Sequence, residues 1–370
     1  MPGLERMPSA ITTVVVKTCT RIGVVASLVY LVAGLLLLVL GQVHVHMYLM
    51  LFGVLMLFPH AVAVAYVASG AVRVSSFVVK LCLACMALSA PAYVLAVFMG
   101  LWLSVETAVL AVVGVTAVSS LTAFLASNRV DGGSVGLSLL LVSASYALAG
   151  GAALAWLSLG KPGGLVLLAL VLTIAYPVTL IYAVTVHSLP ATYRDKPSKL
   201  VALALPLLNA LAAALLLRME FRAGLAVTAL GTLVYPYAAR IYRVPRYLSQ
   251  AMDRLKPGTA ARLAQEYFLK GHYFAAASSI LVAVYTALYA MGYCSLFCVL
   301  HTYTLGFITV HVLIHAPMML PVILGTGHRR AYRLVPLALA LVAAALWPMQ
   351  STIALLAYAA ALYGAARIVA

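Results

Sequence analysis

Nine histidines, at positions 44, 46, 60, 187, 272, 301, 311, 315 and 328, supply most of the ionisable chemistry within or beside the apolar runs of this chain. An imidazole taken out of water costs free energy unless its nitrogens find a partner or a metal, which makes such residues functional candidates. Spacing sorts them. His46 and His60 lie 14 residues apart, and so do His301 and His315. In an α-helix 14 steps make nearly four turns, return to within about 40° of the same face and advance about 21 Å. Each pair then forms a column. Two columns facing one another on co-directional helices place His46 opposite His301 and His60 opposite His315. Opposed imidazoles at one depth are what a six-coordinate heme iron requires, and two depths give two b-type hemes with all four histidines as iron ligands.

Neighbouring residues fit that picture. Gly53 lies midway between His46 and His60, where a small residue lets a macrocycle approach the backbone, and Gly306 follows His301. Pro59 precedes His60 and Pro317 follows His315. A helix-interior proline frees an upstream carbonyl, which can orient a ligand. His311 shares the His315 face and is a candidate to bond a heme group, bind a substrate or replace a ligand. His44 is expected to face solvent, and His187, His272 and His328 to be solvated near span ends. For any one histidine, an ordinary hydrogen-bonded core role is the competing reading.

The elements that hold these residues are apolar runs. The 370 residues are 65% hydrophobic and 8% charged, with a mean hydropathy of +1.12, too little polar surface for a soluble domain. Residues 22–72 and 271–328 contain no charge at all, and each stretch is long enough for two helices of about 20 residues. Lipid tolerates no irregular backbone, so the fold class is an all-α polytopic membrane protein forming a single transmembrane domain over 1–370. Twelve spans are expected at 22–41, 44–69, 76–99, 103–127, 134–157, 164–187, 200–217, 224–242, 273–291, 299–325, 332–347 and 350–368. The first reads as a retained helix rather than a cleaved signal. Residues 243–270 form the longest polar connection and suggest an amphipathic helix on the inner membrane surface.

The net charge of +16 is a topology signal. Of 23 Lys and Arg residues, only Lys161, Arg218 and Arg222 fall in odd-numbered connections. That bias places both termini of a multi-pass cell-membrane protein in the cytoplasm and turns the basic ends toward anionic lipids, with no nucleic acid required. Cys82 and Cys85 read as apolar packing, while Cys294 and Cys298, in one short connection, are spaced for a disulfide.

The stretches His44-Val-His46-Met-Tyr-Leu-Met-Leu-Phe-Gly53 and His301-Thr-Tyr-Thr-Leu-Gly306-Phe, continuing to His315-Ala-Pro-Met-Met-Leu-Pro321, resemble NnrS-type heme membrane proteins, relatives of the heme–copper oxidase catalytic subunit. The end of the sixth span, Tyr182-Ala-Val-Thr-Val-His187, is similar to the same group. The resemblance implies twelve helices in three arcs of four, with His46 and His301 as ligands of the outer heme. It does not carry over a copper centre: the sixth span has only His187 at its inner end, and the seventh has no histidine.

Three functions follow. The first is a b-type cytochrome moving electrons across the bilayer between two bis-histidine hemes, with quinol or another redox protein as donor. The second, implied by the resemblance, is a heme protein that binds or reduces nitric oxide at an open iron position. The third is a secondary transporter with His60 and His315 as proton relays. Whether the chain is itself an enzyme or a component of an oxidoreductase stays open at this level, and no catalytic residue is assigned.

Overall fold

Apolar sequence becomes helix throughout. The computed structural model describes residues 10–69, 80, 84, 105–128, 134–193, 195, 197–324 and 333–369, and contains no strand among them. The helices are α1 (Ala10–Val39), α2 (43–69), α3 (Val105–Ser127), α4 (Ser134–Ser158), α5 (164–192), α6 (Lys199–Leu217), α7 (Phe221–Ala238), α8 (Val244–Arg254), α9 (Ala260–Ala290), α10 (296–324), α11 (Val335–Leu346) and α12 (Ser351–Val369). Eight helices among the described residues are long and apolar enough to cross a membrane. The architecture is that of a helical, multi-pass membrane protein. The expected third span, 76–99, with Cys82 and Cys85, lies almost wholly outside the described residues.

Helix ends follow local chemistry. Past α1, Gln42 N–H donates to the Leu37 carbonyl and Gly41 N–H to Leu38, with Gly41 at φ +77°. Past α9, Tyr293 bonds Leu288 and Gly292 bonds Tyr289 in the same way. These paired bonds satisfy carbonyls that the helix leaves open, and they need a left-handed residue that glycine supplies without strain. Gly160 stands at the corresponding turn after α4.

Three helices are interrupted by π-helical turns: Leu49–Met56 within α2, Ile174–Val178 within α5 and Thr302–Ile308 within α10. Pro177 supplies no N–H to the second of these. A π turn takes more residues than an α turn, so a helical wheel drawn at 100° per residue does not carry across it. Both histidine pairs span such a segment.

The chain divides into two compact units, Met1–Ala183 and Val184–Ala370. In the first, α1 lies along α2, α3 along α4, and α4 against the π-helical part of α5. In the second, α6 pairs with α7, α9 packs on α7, α8 and α10, and α11 and α12 close against α10.

The connection at 243–270 forms two elements. Helix α8 is amphipathic and buries Val244, Tyr247 and Ala251. After a break, Thr259 accepts the Arg262 N–H and caps α9, which continues without interruption to Ala290. Residues 260–270 thus open an apolar helix instead of extending a surface one. Asp195, in the connection from α5 to α6, ties α8 down. Its carboxylate accepts from Arg243 Nη1 at 2.6 Å and Tyr247 Oη at 2.7 Å, with Arg240 at 3.6 Å. Tyr193 stacks on Tyr247, ring centres 4.5 Å apart, and its hydroxyl accepts from Gln265.

Burial pushes the Asp195 carboxyl up, but the Tyr247 and Arg243 hydrogen bonds and the adjacent guanidinium charges outweigh it and hold the group below 3.8. A depressed folded-state value means that this clasp stabilises the protein above the unfolded carboxylate range and is lost as pH falls through the folded value. Asp195→Asn is expected to lower stability by about 1–3 kcal/mol at neutral pH. In thermal unfolding of detergent-purified protein, the gap between wild type and variant should hold down to about pH 4 and close below it; a gap unchanged near pH 2 contradicts the assignment.

Candidate functional site

A neutral imidazole has one N–H and one lone pair, and a carbonyl oxygen only accepts. Where a ring nitrogen meets a carbonyl, the proton must sit on that nitrogen, and the other carries the lone pair. In the first unit, His46 is buried on α2 and its Nδ1–H donates to the Gly34 carbonyl of α1 at 2.8 Å. His60 is fully buried, with Nδ1 2.9 Å from the Tyr146 hydroxyl on α4. The Tyr146 ring lies 5.0 Å from that of Tyr176 in the π-helical turn of α5. The Nε2 of His60 has no partner.

In the second unit, His301 donates Nδ1–H to the Phe297 carbonyl at 2.8 Å, and its ring stacks on Trp347, centres 4.3 Å apart and 7° from parallel. His311 donates to the Phe307 carbonyl at 2.6 Å, while its Nε2 accepts the Tyr235 hydroxyl at 2.8 Å. Both His311 nitrogens are occupied, so the side chain anchors α10 to α7. His315 turns toward α9, where its ring centre lies 5.3 Å from Phe268 and 5.9 Å from His272. Its Nε2 is shut off from solvent and has no partner.

His272 departs furthest from expectation. A solvated place near a span end is the sequence reading; in the structure the residue is fully buried. Its Nδ1–H donates to the Phe268 carbonyl at 2.7 Å, leaving Nε2 with a lone pair and no partner. The signal that could have found it is the length of α9: His272 lies well inside a 31-residue helix. His44 is exposed, as expected. The side chain of His187 and all of His328 lie outside the described residues.

Two further expectations need correcting. The two histidines of each column meet different neighbouring helices. His46 turns to α1 and His60 to α4; His301 turns to Trp347 and His315 to α9. The intervening π-helical turns shift the register that an unbroken α-helix would keep. Nor is Gly53 open to a macrocycle. A Cβ built there would meet the Tyr30 ring and its Cβ at 2.6–2.8 Å, so the missing side chain admits Tyr30 of α1. Gly306 similarly admits Ala344 of α11, at 3.0 Å.

Cys294 and Cys298 are free thiols, Cys294 Sγ lying 3.4 Å from the Tyr285 carbonyl. Among the described residues, no three His, Cys, Asp or Glu side chains gather into a metal-binding group. Comparison of the chain with protein-family models, curated proteins and solved structures gives no match.

Gly53→Ala is expected to destabilise the protein by about 1–3 kcal/mol through the collision with Tyr30. In a double-mutant cycle followed by thermal unfolding, Tyr30→Ala should recover most of that loss. A Gly53→Ala protein of unchanged stability would return the residue to the role of a ligand cradle.

Proposed function

We propose that this chain is a b-type membrane cytochrome that carries electrons across the bilayer. Its twelve spans form three arcs of four, both termini are cytoplasmic, and quinol or another redox protein is the donor. The outer heme is held by His46 and His301, and the inner one is built on His315 with His60 as its sequence-matched partner. The observation that carries this reading is the state of the ring nitrogens. His60 and His315 each bury an Nε2 without a partner, an arrangement that costs free energy until something partners the nitrogen. His46 and His301 each give Nδ1–H to a backbone carbonyl, the orienting bond that ligating histidines ordinarily make. The donor set fits heme iron.

Bound heme would supply one-electron redox chemistry; the chain supplies orientation and a dry environment. The Gly34 and Phe297 carbonyls fix the tautomers of His46 and His301, and each N–H bond makes the opposite nitrogen a better donor. Trp347 holds the His301 ring plane by stacking. Apolar packing around His60 and His315 keeps water from competing for their nitrogens.

The buried His60–Tyr146 hydrogen bond favours a second reading, a proton-coupled secondary transporter, since an imidazole bonded to a hydroxyl can exchange a proton with it.

A pyridine hemochrome assay on purified protein separates the two readings. The cytochrome reading expects about two b-type hemes per chain, falling to about one in His46→Ala, with no carbon monoxide shift of the reduced spectrum. Colourless protein after expression with added heme selects the transporter. A clear carbon monoxide shift would instead indicate an open iron position, as a nitric-oxide-binding protein needs.

A further inference from the structure

His60, His272 and His315 each bury an unpartnered Nε2, and only His272 and His315 belong to the same unit. Their rings are 5.9 Å apart and 86° from parallel. No carboxylate or thiolate joins them in a group of three among the described residues, and His311, one turn from His315, has both nitrogens occupied. The Phe268 carbonyl leaves the lone pair of His272 on Nε2, and with His315 in the same tautomer the two rings, side by side in an apolar helix pair, present two lone pairs. Such a pair asks for a species that can receive both.

In that tautomer the pair does not suit an anion or a hydrogen-bond acceptor. A transition-metal ion fits. Two imidazoles on one metal, each bonded at about 2.1 Å, have ring centres about 6.5 Å apart when the bonds are linear and closer as the angle narrows. The observed separation matches. Neutral nitrogen donors of this kind suit iron, copper or zinc and bind magnesium or calcium poorly. The Phe268 carbonyl already orients His272 with Nδ1–H toward the backbone, so Nε2 is ready as a donor without a change of tautomer.

We infer that His272 and His315 are the two protein ligands of one transition-metal ion held between α9 and α10. The ion is either heme iron or a bare ion; both present the same demand to the imidazoles. In the heme case the inference rests on the cytochrome reading and refines it, with His272 taking the second axial position of the inner heme in place of His60. His60 then keeps its bond to Tyr146.

The test compares detergent-purified wild type, His272→Gly and His60→Gly for total metal by mass spectrometry and heme by pyridine hemochrome. Wild type should carry one metal equivalent more than His272→Gly. Free imidazole, which can fill the space the glycine leaves, should restore that equivalent; a side chain needed only for folding would not respond in this way. His60→Gly should keep the wild-type metal content. If the lost equivalent is accompanied by heme, the ion is heme iron; if heme is unchanged, it is a bare ion. Wild type devoid of heme but carrying the His272-dependent ion would sink the cytochrome reading and leave this one standing. Unchanged metal content in His272→Gly overturns the inference and leaves a bridging water as the occupant. Metal loss in His60→Gly overturns it as well, because His60 would then hold the second position.

Discussion

The bond from an imidazole Nδ1–H to a backbone carbonyl is the interaction on which the chemistry of this protein depends. In an apolar helix a histidine has one proton to place, and the carbonyls of Gly34, Phe268, Phe297 and Phe307 take it from His46, His272, His301 and His311. That choice leaves the lone pair on Nε2 in all four. What meets it then decides the role. At His311 the Tyr235 hydroxyl closes the account, and the residue becomes structural. His272 Nε2 has no such partner, and neither does the buried Nε2 of His315 or of His60. An unpaired buried nitrogen is costly, and that cost is the physical ground for the metal proposed at His272 and His315.

Helix geometry supplies these carbonyls at little cost. For His272, His301 and His311 the acceptor lies four residues earlier in the same helix, so backbone and ring share one oxygen. His46 instead reaches across to α1. There the close approach of α1 and α2 at Tyr30 and Gly53 brings the two backbones together. The glycine thus serves His46 indirectly, by letting a neighbouring helix come near enough to offer its carbonyl.

Much of the fold was legible because lipid leaves few choices. Among the described residues the long charge-free runs are helices, while Gly41, Gly160 and Gly292, which close helix ends in left-handed turns, were not singled out in the sequence. The histidines were legible as a set. Their directions were not. A wheel drawn at 100° per residue assumes unbroken α-helix, and the π-helical turns at Leu49–Met56 and Thr302–Ile308 leave only a glycine in the sequence as a trace. His272 was missed because charged residues just before it, Glu266 and Lys270, suggested a solvated span end; these two pair with each other while the helix runs on. The boundary between α8 and α9 escaped for the same reason, as both helices carry Arg and Lys among apolar residues.

Pulsed electron paramagnetic resonance of the oxidised protein, grown with either natural-abundance or 15N-labelled histidine, reaches the central claim most directly. A low-spin ferric signal whose nitrogen couplings change with the label, at two histidines per iron, is the expected result. A purified protein with no ferric signal, or with couplings indifferent to the label, would contradict the assignment of these imidazoles as heme ligands.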